Sequence, residues 1–161
     1  VSSGRHRLSH LDDLGAARMV DVGEKSATAR RATAAGTVHT TAEVVESITA
    51  GGLPKGDALA TARVAGILAA KRTSDLIPLC HQIALSGVDI TFEISSSAIE
   101  ISAIAATTDR TGVEMEALTA VTVAGLTLYD MVKAIDPAAR IDGIRLLGKE
   151  GGKAGVWTRP T

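Results

Sequence analysis

Hydrophobic and polar positions alternate most cleanly over residues 86–95. Val88, Ile90, Phe92 and Ile94 fall on one face there, and Asp89, Thr91 and Glu93 on the other. Residues 98–107 repeat the alternation with Ile99, Ile101 and Ala103, and Ser95-Ser96-Ser97 suits the turn between the two runs. A period of two is the mark of a half-buried strand, so this segment predicts a β-hairpin with one solvated face. Over residues 112–135 the period changes. Leu118, Val121, Gly125, Leu128, Val132 and Ile135 recur at spacings of three and four, which is one buried stripe of a long helix stopped by Asp136-Pro137.

The remaining elements are shorter. Residues 30–38 alternate weakly and carry Thr and Val, predicting a first strand. Thr41 suits the N-cap of a helix reaching about Thr49 with the stripe Val44, Val45, Ile48, and Gly51-Gly52 ends it before Pro54. Asp57 caps a second helix over residues 58–72, rich in alanine, whose small side chains let another backbone approach closely. Residues 141–147 form a last strand. Strand, two helices, hairpin, long helix, strand is the βαββαβ order of an α+β ferredoxin-like sandwich, an antiparallel sheet with helices on one face and one helix extra. The whole chain, 1–161, reads as one domain, with residues 1–25 as a mobile or neighbour-pinned arm and 150–161 as a flexible tail.

Composition narrows the function classes. Aromatics are 2% of the 161 residues, which argues against a stacking platform for single-stranded nucleic acid, and a net charge of -1 argues against a nucleic-acid binder generally. Any anion site must therefore be a local basic pocket. One cysteine, Cys80, allows neither an internal disulfide nor a zinc quartet and fits a reducing cytosol. No signal peptide or membrane-length apolar run is expected, and no metal-ligand spacing is visible.

Four groups of residues can carry chemistry. Residues 148–155 hold four glycines with Lys149 and Lys153, an anion-binding nest by composition, although the spacing fails the phosphate-loop pattern; the alternative is a solvated tail. Pro78-Leu79-Cys80-His81 places an imidazole in a connection before the hairpin, where rigid scaffolds carry sites. Glu114, Glu116, Asp130 and Lys133 share the long helix, with Asp130 and Lys133 one turn apart. Glu116 and Asp130 are separated by roughly 21 Å at a rise of about 1.5 Å per residue, so one small substrate reaches both only from different subunits or across an extended pocket. Lys55 precedes a helix start, where N–H groups favour anions, and Arg63, Lys71, Arg72, Arg30 and Arg31 are further cations that solvation or helix capping explains equally well. Residues alone lead to an oligomeric α+β domain with an anionic small-molecule site and an open reaction type.

The same segments resemble a known family. Met19-Val20-Asp21-Val22, Lys55-Gly56-Asp57, Ala69-Ala70-Lys71-Arg72-Thr73, Asp75-Leu76-Ile77-Pro78-Leu79-Cys80-His81, Thr111-Gly112-Val113-Glu114-Met115-Glu116, Tyr129-Asp130-Met131 and Leu146-Leu147 through Gly151-Gly152-Lys153 are together similar to molybdenum cofactor biosynthesis protein C, the cyclic pyranopterin monophosphate synthases. The match runs over residues 8–156. The resemblance implies a cytoplasmic lyase. It would convert 3′,8-cyclo-7,8-dihydroguanosine 5′-triphosphate, supplied by a radical-SAM GTP cyclase, into cyclic pyranopterin monophosphate and pyrophosphate. It also implies a homohexamer, a trimer of dimers with sites between subunits, and no resident cofactor, with Mg²⁺ entering only alongside the triphosphate.

By the same resemblance Asp130, Lys55 and Lys133 are catalytic. Leu79, Cys80, His81, Met115, Glu116, Glu114, Arg30, Lys71, Arg72 and Lys149 bind substrate. Gln82 stands where many relatives have Pro, and His39 where they often have Met. Two other classes stay open, a sensing domain that binds nucleotide without turnover and a scaffold subunit without a small-molecule site.

Overall fold

The computed structural model describes residues 14–153 and 155–160. In chain order the elements are β1 (Thr28–His39), α1 (Ala42–Thr49), α2 (Ala58–Ala70), α3 (Thr73–Leu76), β2 (Leu85–Ile94), β3 (Ala98–Asp109), α4 (Glu114–Val132), β4 (Arg140–Glu150) and β5 (Trp157–Thr158). The five strands form one antiparallel sheet in the order β2-β3-β1-β4-β5. This is the α+β ferredoxin-like arrangement that the element order predicts, with α2 and α4 packed on one face.

The period-two pattern explains which face is covered. Ile99, Ile101, Ala103 and Ala105 of β3 are buried, as are Ala32, Ala34 and Val38 of β1 and Ile90 of β2. They meet Ala117, Val121, Ala124 and Leu128 of α4. The core is built largely of alanine, so the layers pack close. A Cβ added at Gly66 of α2 would lie 2.8 Å from the Ala120 carbonyl oxygen and 3.3 Å from the Ala124 Cβ. The α4 helix is long and apolar enough to cross a membrane by length and composition, but about 56% of it is buried inside the fold and it serves as the core helix.

Capping follows the sequence at two helices. Thr41 accepts from the Val44 amide and Asp57 from the Ala60 amide, each satisfying an orphan N–H of the first turn. Three elements differ from the sequence reading. The second helix stops at Ala70, and the short α3 follows because the buried Thr73 turns its hydroxyl onto the Ala70 carbonyl, 3.0 Å away. The last strand runs past Gly148 to Glu150. Trp157–Thr158 then returns beside it as an edge strand, opposite Lys149 and Gly148. Of the proposed arm, residues 1–13 lie outside the described residues, while Val20, Val22 and Lys25 line the site described next.

Candidate active site

Antiparallel register gathers one cluster at the sheet end where α4 begins. Arg31 pairs with Glu150 and Ala32 with Lys149, while Thr28 pairs with Asp109 at the end of β3, five residues before α4 starts. Arg30, Lys149, the Gly151-Gly152 turn and Glu114 therefore converge without being close in sequence. Lys149 Nζ lies 2.8 Å from Glu114 Oε1, a partly buried pair. Arg30 is held by its backbone neighbours, Nε donating to the Asp109 carbonyl at 3.0 Å and Nη2 to the Arg110 carbonyl at 3.2 Å.

Beside this cluster opens a cleft of about 390 Å³. One wall is Leu79, Cys80 and His81, the other Met115 and Glu116 on the first turn of α4, and Val20 closes the rim. His81 Nε2 donates to the Val20 carbonyl at 2.6 Å, which leaves Nδ1 as the ring nitrogen free of that bond. Glu116 is only 3% exposed. Burial is the main cause of its raised pKa, Glu114 adds to it, and the Glu116 backbone N–H opposes it. A carboxyl held this way exchanges a proton nearer neutrality than an exposed one. Burial, then the nearby Glu116, also pushes the Cys80 thiol up, so Cys80 is a poor thiolate and lines the cleft as a small apolar group.

A second cluster lies at the far end of α4. Because α2 packs antiparallel to α4, Lys55, just before α2, reaches the last turn of α4. Its Nζ donates to Asp130 Oδ2 at 2.7 Å and to the Asp130 carbonyl at 2.9 Å. Lys133 Nζ lies 2.7 Å from Asp130 Oδ1. With one ammonium on each oxygen, Asp130 has its pKa lowered to about 2, by the Lys133 hydrogen bond first and the Lys55 hydrogen bond second. The same partnership raises the Lys133 pKa. The carboxylate is ionised and acceptor-only, and the two lysines are donors. All three are exposed.

Within one chain the two clusters stay apart, as the helix rise requires. Lys55, Asp130 and Lys133 form one group, and Leu79, Cys80, His81, Met115, Glu116, Glu114, Arg30 and Lys149 form the other. Lys71 and Arg72 are exposed after the end of α2 and line neither the cleft nor the Asp130 cluster. Arg63 is a packing residue, its Nε donating to the Ile90 carbonyl at 3.1 Å and its guanidinium 5.3 Å from the Phe92 ring centre. Among the described residues, no three His, Cys, Asp or Glu side chains cluster as a metal-ion site. Reading residues one at a time misses Val20, Val22 and Lys25 on the cleft rim. The signal for them is the alternation in Met19-Val20-Asp21-Val22, which is too short to stand out in a polar segment.

Comparisons with known proteins span nearly the whole chain. The model of the MoaC family matches residues 19–152, a span containing both clusters. A Mycobacterium bovis protein named cyclic pyranopterin monophosphate synthase 2 is 68% identical over 152 residues, covering 94% of this chain and 91% of its own length. Proteins named cyclic pyranopterin monophosphate synthase from Streptomyces coelicolor and a Nocardioides species are 60% and 55% identical, covering 95% and 99% of this chain and 90% and 100% of their own.

Proposed function

The chain belongs to the MoaC family, and from that premise we propose that it is a lyase of molybdenum cofactor biosynthesis. It converts 3′,8-cyclo-7,8-dihydroguanosine 5′-triphosphate into cyclic pyranopterin monophosphate, releasing pyrophosphate. The observation that carries this reading is the Asp130 carboxylate held between Lys55 and Lys133. The reaction opens a purine five-membered ring and closes a pyrazine ring, which takes several proton transfers. A ribose-derived oxygen must also attack the α-phosphorus while pyrophosphate leaves. An ionised carboxylate flanked by two ammonium groups supplies a proton acceptor and donors, and the lysines can stabilise charge on the leaving group. His81 and Glu116 would orient the base and ribose, with Arg30 and Lys149 on phosphates. Proton transfer and charge stabilisation fall to side chains, so the reading gives no resident cofactor a role, and Mg²⁺ would accompany the triphosphate.

The separation of the clusters supports a site shared between copies. Between them the outer face of α4 carries no charge and exposes Leu126, 54% accessible, with Thr122, Val123 and Thr127 half-buried around it. A two-fold axis near Val123, midway between Glu116 and Asp130, would lay this face on itself in a second copy. The Asp130 end of one protomer would then meet the Glu116 end of its partner. A homohexamer built as a trimer of such dimers, fed by a radical-SAM GTP cyclase in the cytoplasm, completes the proposal.

The test is pyrophosphate release from the cyclised nucleotide by wild type and Asp130→Ala. Turnover in the first with a loss of about 10²–10⁴-fold in the second, the range for a general acid–base group, is expected. Full activity in the variant removes Asp130 from the chemistry. Binding without turnover in either would favour a sensing domain.

A further inference from the structure

Beside the cleft that holds His81 and Glu116 lies a second one of about 500 Å³, lined by Glu24, Lys25, Ser26, Thr28, Arg30 and Lys153, with Gly152 at its base. Its charge is the reverse of the first. The first cleft has Glu114 and Glu116 facing the cation Lys25, a poor seat for a polyphosphate and a good one for the N–H edge of a base. The second has Lys25, Arg30 and Lys153 against Glu24, with the hydroxyls of Ser26 and Thr28 beside them. Lys25 lines both, so a ligand whose base sits in the first can send an anionic tail past Lys25 into the second.

The second cleft is also built to hold its cations in place. Two carbonyls fix the Arg30 guanidinium and leave its other N–H donors uncommitted to them. Gly152 has a φ of +69°, and a Cβ there would run into that guanidinium, so glycine is required both for the turn and for the arginine beside it. The Lys25 amide donates to the Val22 carbonyl at 3.0 Å, and the His81–Val20 hydrogen bond ties the same short segment to the first cleft.

We propose that Lys25 and Lys153, with Arg30, form the seat of the two terminal phosphates, the group that departs as pyrophosphate. This inference rests on the reaction proposed above. It adds two phosphate-binding residues, Lys25 from the segment before β1 and Lys153 from the glycine turn after β4, to the residues assigned there. Three cations around the leaving group would hold the tail while the α-phosphorus is attacked and would balance the charge that develops as the bond breaks.

The experiment is titration calorimetry with inorganic pyrophosphate on the full chain, comparing wild type with Lys25→Gln, Lys153→Gln and the double variant, all checked by circular dichroism for an intact fold. Each single change is expected to weaken pyrophosphate binding roughly tenfold or more, the scale of one lost charge-assisted hydrogen bond. Lys153→Arg should restore most of the loss, and Glu24→Gln should tighten binding. In turnover assays the lysine variants raise KM more than they lower kcat. Unchanged pyrophosphate affinity in the folded double variant overturns the seat. Because this titration needs no turnover, it separates the two ideas. A wild type that turns over the cyclised nucleotide yet binds pyrophosphate no better than the double variant leaves the reaction standing and removes the seat. Lysine-dependent pyrophosphate binding without turnover keeps the seat and removes the reaction.

Discussion

Replacing Gly66 with alanine sets two quantities of similar size against each other, and the structure decides the sign. In an exposed helix the change would stabilise by about 1 kcal/mol. Here the new methyl would lie 2.5 Å from Ile90 Cδ1 and 2.8 Å from the Ala120 carbonyl oxygen. Ile90 can rotate its terminal methyl away, but the Ala120 oxygen belongs to the α4 backbone. Reaching an ordinary C···O separation of about 3.3 Å requires α2 and α4 to part by roughly half an ångström. Overpacking of this kind costs about 1–3 kcal/mol, which leaves a net loss of up to about 2 kcal/mol after the propensity gain. For a domain of this size that corresponds to a fall in Tm of up to roughly 6 °C, read by circular dichroism at fixed protein concentration. The same displacement acts on chemistry. Lys55 leads into α2 and donates to Asp130 on α4, so parting the helices misplaces one against the other, and turnover is expected to fall about tenfold. A Tm that rises, with full turnover, would refute the close approach of α2 and α4 as the reason for glycine at this position.

Further predictions concern charge and assembly. Glu116→Gln should raise Tm at neutral pH while lowering turnover. The folded pKa of Glu116 is raised from the ordinary 4.5, so its ionised form costs stability in full only above that raised pKa, and the gain in the variant should shrink as pH falls through it and vanish below 4.5. For Asp130 the sign is opposite. Its folded pKa is lowered from 3.8 to about 2, so its contribution is present above 3.8 and lost as pH falls toward 2. The acid limb of Tm against pH should be shallower in Asp130→Asn over that window, and an identical limb would deny the coupling. Leu126→Glu, placing a charge on the outer face of α4, should shift sedimentation toward smaller species and abolish turnover together; an unchanged assembly would remove that face from the interface. Mixing Asp130→Ala with Glu116→Gln, each impaired alone, should after subunit exchange bring turnover to at least roughly a quarter of wild type, since half the sites in mixed dimers are intact, and no recovery above the average of the two variants would place each site within one chain.

The sandwich was legible because its determinants are periodic and local. Alternation over β2 and β3, the stripe of α4, the Thr41 and Asp57 caps and the stop at Asp136-Pro137 each act within a few residues. α3 was not legible, since a four-residue helix has no period and depends on one hydroxyl, that of Thr73, meeting the Ala70 carbonyl. The continuation of β4 past Gly148 and the return of β5 were hidden for a related reason. Their hydrogen bonds are made to a neighbouring strand, and a short stretch around glycine shows little alternation by itself.

For the site, the sequence determined which chemical groups are available and, through the helix rise, that Glu116 and Asp130 cannot meet around one small ligand in a single chain. The motifs around Lys55, Leu79-Cys80-His81, Glu114-Met115-Glu116 and Asp130 also sufficed to identify the family. Only the tertiary structure decided the pairings. Lys55 reaches Asp130 because α2 runs antiparallel to α4, and Lys149 meets Glu114 and lies near Arg30 because β4 ends beside the start of β1. It also separated cations that look alike in sequence. Arg63 is spent on the Ile90 carbonyl, Lys71 and Arg72 stay exposed, and Lys25, from a segment with no readable pattern, stands between two clefts. The physical reason is that a charge takes its role from what the fold sets within hydrogen-bond reach, and those neighbours come from residues tens of positions away.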